Sequence, residues 1–270
     1  MKNVLISIFS TSFLFLLSIH AYSQGAAKGF LQGFNEIYLN TAPIEMFIRD
    51  TRLGSATGFF LRVPEVGKTY LITNRHVVID EKELRFPDRL RLLLHLDRAD
   101  LRRNAYYDVA LYSDLEKKQK QWSEVNPSID VVSIELSNET LKKFQINAFT
   151  PKDFAPADTQ LALGEPVAII GYPTGFSDHV HNLPVARQGA VASAFPIPFK
   201  GQRHFLVDAI LHPGTSGSPV ITRPDATRLT TSGERVIGPR VYLVGINSGS
   251  YGVLNLNAVW FTNVIAEVVK

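Results

Sequence analysis

Short apolar segments separated by turn-forming residues are the feature that most limits how this chain can fold. The segments are rich in Val, Ile, Leu and Phe, and Gly, Pro, Asn and Asp lie between them. Such a pattern is typical of β-strands rather than helices. Many short strands favour a barrel or a sandwich. We predict strands at residues 57–63, 69–73, 90–96, 106–112, 130–136, 166–170, 185–192, 205–209, 220–222, 241–247 and 258–261.

Helical periodicity occurs near the two ends of the chain, at residues 28–40 and 262–269. Between the two strand-rich halves lies a polar stretch, residues 150–159, that contains two prolines. Such a stretch is typical of a connection between domains. We therefore predict a first domain at residues 24–155 and a second at residues 156–270.

The N-terminus predicts export. After a short positive start, residues 4–19 are apolar and uncharged, and Ala21 and Ser23 supply the small residues that a signal peptidase needs before Gln24. The apolar run is shorter than the roughly 20 residues that span a bilayer, so we favour cleavage over a retained anchor. We predict a signal peptide at residues 1–23, a periplasmic or secreted bacterial protein, and no stable membrane insertion after cleavage.

Composition excludes several classes of site and partner. The chain has no cysteine, which removes disulfides, thiolate metal sites and a cysteine nucleophile. It has 28 Lys and Arg residues, of which Lys2 is lost with the signal peptide, against 25 Asp and Glu residues. A nearly neutral protein gives no reason to expect nucleic acid as a partner. The histidines are scattered, so we expect neither a metal site nor a cofactor.

One histidine lies at a position that suits catalysis. The predicted strand at residues 69–73 leads directly into Asn74, Arg75 and His76. Histidine suits a general base because its pKa of about 6.5 lets it take and return a proton near neutral pH. From the residues alone, a histidine that bonds to backbone at a strand end is the alternative.

A serine flanked by glycines precedes another predicted strand. Ser216 lies between Gly214 and Gly217, which permit a sharp turn that points successive N–H groups inward. The N–H groups of Gly214 and Ser216 are therefore candidate donors to the oxyanion of a tetrahedral intermediate. A plain turn between strands is the alternative interpretation. The nucleophile elbow of α/β-hydrolases is excluded, because its fifth position is glycine and here it is Ser218.

These two motifs carry a resemblance to a known family. Residues 73–77 (TNRHV) resemble the histidine motif of trypsin-like peptidases, and residues 214–219 (GTSGSP) resemble their serine motif, especially in bacterial HtrA-like and related single-domain forms. Residues 167–173, 245–248 and 258–268 extend the resemblance. It implies an all-β fold of two six-stranded antiparallel β-barrels with a short C-terminal helix, and a catalytic cleft between the barrels.

The resemblance also implies a Ser-His-Asp triad in a serine endopeptidase that needs no cofactor. Ser216 is the nucleophile, His76 the general base, and an aspartate between the two motifs orients the histidine. We prefer Asp130 to Asp108, because a long polar connection after residue 113 makes 106–112 an earlier hairpin strand. A weakly active or inactive binding or scaffold protein with the same fold, and an esterase with the same triad, remain alternatives.

Substrate-binding residues follow from the same resemblance. Ile210 is implied at the base of the primary specificity pocket. Residues 247–249 are implied to form its wall and to pair with the backbone of a polypeptide substrate, so we assign Ile246, Asn247 and Ser248 to substrate binding. Isoleucine offers no charge to Lys or Arg, so we predict a preference for small or medium apolar side chains. The sequence predicts no oligomeric state.

Overall fold

The computed structural model describes residues 34–114, 119–223, 228–229, 235–236 and 241–269. The predicted signal peptide and residues 28–33 of the first predicted helix lie outside the described residues. Within the described ranges, no helix is both long and apolar enough to cross a membrane. The architecture is mostly β, in two sheets that pack against each other.

The first sheet has seven strands, β1 (Thr41–Ile48), β2 (Thr51–Val63), β3 (Lys68–Thr73), β4 (Arg89–His95), β5 (Asn104–Ala110), β6 (Ser123–Glu124) and β7 (Val132–Leu136). They lie in the order β5-β4-β1-β2-β3-β7-β6. In β4 the side chains alternate between core and surface, and Leu90, Leu92 and Leu94 are buried. Short helices α1 (Arg75–Val78) and α2 (Asn138–Leu141) follow β3 and β7.

The prediction that this half forms a closed six-stranded barrel is wrong, because the sheet is open. Strand β6 has only two residues, so little ladder is available to join it to the β5 side. Among the described residues, the two sides are joined by one isolated bridge, Tyr112 to Lys120. Its two backbone hydrogen bonds run from the Gln121 N–H to the Leu111 carbonyl at 3.0 Å and from the Ser113 N–H to the Gln119 carbonyl at 3.1 Å. The edges of the sheet therefore approach each other without forming a continuous ladder.

The second sheet is a closed barrel of six strands, β8 (Pro166–Gly171), β9 (Val185–Val191), β10 (His204–Asp208), β11 (Pro219–Thr222), β14 (Leu243–Ser250) and β15 (Leu256–Phe261). They lie in the order β10-β15-β14-β11-β8-β9. This confirms the predicted barrel for the C-terminal half. The helix that follows, α3 (Thr262–Val268), confirms the predicted C-terminal helix. In the chain, a short strand pair, β12 (Arg228–Leu229) with β13 (Arg235–Val236), lies between β11 and β14.

Strand β1 was not predicted. The predicted helix at 28–40 is a 3-10 helix over its described part, Phe34–Asn40, and β1 begins at the next residue. In β1 the side chains of Ala42, Ile44 and Met46 are buried, as in a regular strand of a half-buried sheet. Pro43 obscures this alternation in the sequence, since proline within a run argues against a central strand. Here β4 pairs with β1 only from Ile44 onwards, so Pro43 lies beyond that ladder.

One buried cluster joins the two sheets. It contains Phe59 and Ile72 from the first sheet, Ile170 and Trp260 from the barrel, and Ile265 from α3. The chain crosses between the units close by, because Phe149 pairs with β2 while Phe154 pairs with the barrel at Leu243. A shared core of this kind holds the groups at the junction in a fixed relative position.

Candidate active site

Helix α1 carries His76 at the end of β3. Asn74 precedes the helix in an extended conformation, with φ of −83° and ψ of 154°. Val77 and Val78 have no exposed surface, so they anchor the helix in the core of the first sheet. The His76 side chain remains 32% exposed. The helix that carries the imidazole is thus anchored in the core, and the imidazole itself remains accessible to solvent.

Asp130, in the connection from β6 to β7, contacts His76 through both carboxylate oxygens. Its Oδ2 lies 2.7 Å from Nδ1 of the imidazole, and its Oδ1 accepts the backbone N–H of His76 at 2.9 Å. The side chain of Asn74 donates to the Asp130 carbonyl at 2.8 Å. A carboxylate at Nδ1 favours the tautomer with the proton on that nitrogen, which leaves Nε2 free to accept another.

Ser248 provides a further contact to Asp130. Its hydroxyl donates to Asp130 Oδ2 at 2.5 Å, across the junction between the barrel and the first sheet. The family resemblance implies a substrate-binding role for Ser248 and gives no sign of this contact. No local signal marks it, since the two residues are 118 positions apart in the chain.

The alternative aspartate, Asp108, lies elsewhere. Its two carboxylate oxygens accept from the Arg91 guanidinium at 2.7 and 2.9 Å, and the two residues face each other across β4 and β5. The hydrogen bond from Arg91 lowers the pKa of Asp108. The structure therefore places Asp130 against His76 and places Asp108 in an ion pair on the sheet surface.

A charged group next to His76 was not anticipated from the sequence. The largely buried Arg75 side chain donates to Glu124 of β6 at 2.7 Å, and it makes two hydrogen bonds of 2.7 Å to Glu81. These hydrogen bonds lower the pKa of the Glu81 carboxyl to about 2. Since Glu124 lies on the hairpin that leads to Asp130, Arg75 links the element that carries His76 to the element that carries Asp130.

The loop that contains Ser216 is bound to the first sheet through Thr57 of β2. The Thr57 N–H donates to the Ser216 carbonyl at 2.9 Å, and its hydroxyl donates to the Gly214 carbonyl at 2.8 Å. The same hydroxyl accepts the N–H of Tyr172 at 3.0 Å. Thr57 has no exposed surface. A single residue of the first sheet therefore binds two elements of the barrel.

Gly217 lies against the strand end that leads to His76. Its φ is +84°, and a Cβ at this position would lie 2.0 Å from the Thr57 carbonyl oxygen and 2.5 Å from the Thr73 hydroxyl. Since Thr73 is three residues before His76, the serine and histidine motifs meet at this point. No hydrogen bond joins Ser216 Oγ to His76 Nε2 in the described part of the chain, and Ser216 is partly exposed.

The two predicted oxyanion donors have no acceptor in the part of the chain that the structure describes. Among the described residues, neither the Gly214 N–H nor the Ser216 N–H donates a hydrogen bond. Gly214 has a φ of +93°, and a Cβ there would lie 2.6 Å from the Tyr172 carbonyl oxygen. Glycine at 214 thus allows the close turn, and two donors without an acceptor among the described residues lie two positions apart in the chain.

Ser218, which stands where many trypsin-like peptidases have glycine, fits without backbone strain. It is fully buried, and it is not among the described residues with positive φ. Gly171 makes the space, because a Cβ on Gly171 would lie 2.1 Å from Ser218 Oγ. No partner for this hydroxyl is present among the described residues.

The residues assigned to substrate binding differ in exposure. Ile210 is 58% exposed, and its carbonyl accepts from the Arg187 guanidinium at 2.8 Å. Ile246 has no exposed surface and Asn247 has 2%, whereas Ser248 is partly exposed and Gly249 is exposed. Of the wall segment, Ser248 and Gly249 are the residues with surface to offer a substrate.

A metal centre has no support in the described ranges, where no group of three His, Asp or Glu side chains is arranged to hold an ion.

Comparisons with known proteins agree with this architecture. A family model described as a trypsin-like peptidase domain matches residues 56–227. The chain is similar in structure to the serine endoprotease from Yersinia pestis, with a TM-score of 0.51 and 14% sequence identity over 88% of this chain and 65% of that chain. It is also similar to the active form of the Rv3671c protease from M. tuberculosis, with a TM-score of 0.49 and 14% identity over 86% and 80% of the two chains. No curated protein sequence matches significantly.

The fold and the family match together define a peptidase. Because the matched region extends over more than half of the chain, the protein belongs to the trypsin-like peptidases.

We predict that Gly217→Ala displaces the loop that carries Ser216. The added Cβ would lie 2.0 Å from the Thr57 carbonyl oxygen, so either the loop that carries Ser216 or strand β2 must shift. Gly201→Ala is the matched control, since Gly201 has a φ of +73° and no atom within 4 Å of an added Cβ. The control should lose about 1 kcal/mol of stability to the left-handed backbone and keep its activity. Gly217→Ala should lose more stability and most of its peptidase activity. If Gly217→Ala and Gly201→Ala lose equal amounts of thermal stability and of activity, the prediction is contradicted.

Proposed function

We propose that this protein is an exported serine endopeptidase that hydrolyses peptide bonds through Ser216, His76 and Asp130. The observation that carries the proposal is the double contact of Asp130 with His76, at 2.7 Å to the ring and 2.9 Å to the backbone. It leaves Nε2 of His76 as the nitrogen that accepts the proton of Ser216. The resemblance of both motifs to those of trypsin-like peptidases supports the same roles.

The reaction proceeds by acyl transfer. Ser216 Oγ bonds to the carbonyl carbon of the scissile peptide as its proton passes to His76 Nε2, and the carbonyl oxygen becomes an oxyanion. The unpaired N–H groups of Gly214 and Ser216 bind that oxyanion. The C–N bond then breaks as His76 protonates the leaving amine. Water, deprotonated by His76, hydrolyses the acyl ester and restores Ser216.

Asp130 holds the imidazole and stabilises the imidazolium during both steps. Its second contact, from the Ser248 hydroxyl at 2.5 Å, fixes the carboxylate itself. The absence of a resting hydrogen bond between His76 and Ser216 is compatible with this mechanism. In free enzymes such bonds are often long and tighten when substrate binds.

The two candidate aspartates provide a direct test of the triad. We expect Asp130→Asn to lower kcat/KM for a peptide substrate by about 100- to 10,000-fold, because the amide favours the wrong imidazole tautomer. Asp108→Asn, the control, should leave kcat/KM unchanged, since Asp108 pairs with Arg91. Ser216→Ala should abolish both hydrolysis and labelling by a fluorophosphonate.

Each failure of this test has its own meaning. A parent protein that is not labelled would indicate a binding or scaffold protein on the same fold. A labelled parent that hydrolyses esters and no peptides would indicate an esterase. An unchanged Asp130→Asn with an impaired Asp108→Asn would reverse the assignment of the aspartate.

We propose that the peptidase prefers small or medium apolar side chains at the residue before the scissile bond. The basis is Ile210, which the family resemblance assigns to the base of the primary pocket and which carries no charge. In a fluorogenic series that differs only at this residue, Ala, Val and Leu should give higher kcat/KM than Lys and Arg. Preference for Lys or Arg would refute the assignment of Ile210.

The export of the protein is proposed from residues 1–23 alone. Expression of the full chain in a bacterium should yield a protein outside the cytoplasm whose N-terminal residue is Gln24. A cytoplasmic protein that retains Met1, or a membrane-bound one that retains residues 4–19, would contradict this.

A further inference from the structure

Asn247 makes three hydrogen bonds to the loop that carries Ser216, while its side-chain Oδ1 has no partner among the described residues. Its backbone N–H donates to the Ser218 carbonyl and its carbonyl accepts the Gly217 N–H, both at 2.9 Å. Its side-chain Nδ2 donates to the Thr215 carbonyl at 3.0 Å. With 2% of its surface exposed, Asn247 contacts the loop rather than a substrate.

The contact with Thr215 determines where a neighbouring N–H points. The Thr215 carbonyl and the Ser216 N–H belong to one planar trans peptide group, in which the two bonds point in opposite directions. An amide that holds the carbonyl on the buried side therefore directs the Ser216 N–H to the other side. That N–H has no acceptor among the described residues and is one of the two proposed oxyanion donors.

The other oxyanion donor is held in a different way. The Gly214 N–H shares a peptide group with the Pro213 carbonyl, which accepts from the backbone N–H of Thr174 at 2.5 Å. That contact is between backbone groups and survives most substitutions. The Thr215 carbonyl accepts two hydrogen bonds, from the Ser218 N–H at 3.1 Å and from the Asn247 amide at 3.0 Å, so the orientation of the Ser216 peptide group depends in part on a side chain.

We propose that Asn247 is a positioning residue of the oxyanion hole, which it serves by fixing the Thr215–Ser216 peptide group. This inference rests on the proposed peptidase function. Without the amide, the Thr215 carbonyl keeps only the hydrogen bond from the Ser218 N–H, so the peptide group rotates more easily and its N–H points at the developing oxyanion for less of the time. The defect affects the transition state and not substrate binding, so it lowers kcat with little change in KM.

The test uses Asn247→Ala and Asn247→Leu in the full chain. Leucine is close to asparagine in shape but has no hydrogen-bond donor in its side chain, so it does not hold the Thr215 carbonyl. Both variants should lose about 10- to 100-fold in kcat, with KM within about twofold of the parent value. The Ki of a peptidyl aldehyde with the substrate sequence should rise in parallel, because Ser216 adds to the aldehyde carbon and places its oxygen in the oxyanion hole.

Asn257→Ala is the matched control. Asn257 is 3% exposed in the same barrel, and its amide donates to the Ala209 carbonyl at 2.7 Å. It should lose comparable thermal stability while the ratio of aldehyde Ki to substrate KM stays at the parent value. A purely structural role for Asn247 would give the same result as this control.

The outcomes separate the two proposals. An active, labelled parent whose Asn247 variants keep the parent ratio of Ki to KM would overturn the role of Asn247 alone. A parent that no fluorophosphonate labels would overturn the peptidase function and this inference with it. If one Asn247 variant does not fold, the other decides; if neither folds, Asn247 serves stability and the inference is wrong.

Discussion

The hydrogen bond from the Thr57 N–H to the Ser216 carbonyl, at 2.9 Å, is the contact on which the rest of the site depends. It ties the nucleophile loop of the barrel to the sheet that carries His76. The Thr57 hydroxyl adds a contact to the Gly214 carbonyl at 2.8 Å. Thr57 is fully buried, and a buried polar group left unsatisfied costs about 1–3 kcal/mol, so the loop gains most when both hydrogen bonds form together.

The shared core beneath this contact makes the arrangement stiff. Aromatic and aliphatic side chains of both sheets pack with the C-terminal helix in one cluster, so separating the sheets would expose that cluster to water. The Ser133 hydroxyl also donates to the Val268 carbonyl, which joins the first sheet to the helix. The relative position of His76 and Ser216 is therefore a property of the junction, and neither half defines it alone.

The sequence predicts the local elements well and the contacts between them poorly. Short apolar segments mark the strand that leads to His76 and the strand that follows Ser216, and each predicted strand has a counterpart in the structure. Strand β1 escapes prediction because Pro43 argues against a central strand. Closure of the first barrel was expected, but it depends on pairing with β6, and a two-residue strand leaves no pattern that a sequence can reveal.

The same contrast holds for the residues of the site, because their positions can be predicted from the sequence and their contacts cannot. The positions of His76 and Ser216 come from short motifs, and the choice of Asp130 came from its place between them. Asn247 and Ser248 were assigned to a substrate wall, whereas their side chains contact Thr215 and Asp130. These contacts join residues 32 and 118 positions apart, so only the folded chain reveals them.

The close packing of Ser218 on Gly171 makes the two positions interdependent. A methyl group on Gly171 would overlap the Ser218 hydroxyl, whose nearest approach to it would be 2.1 Å. The same methyl group would lie 2.8 Å from the Thr57 hydroxyl, so position 171 can gain a side chain only after position 218 has given one up and Thr57 has shifted. This constraint imposes an order on mutations: along any line of descent, the smaller residue must appear at 218 before a larger one is tolerated at 171.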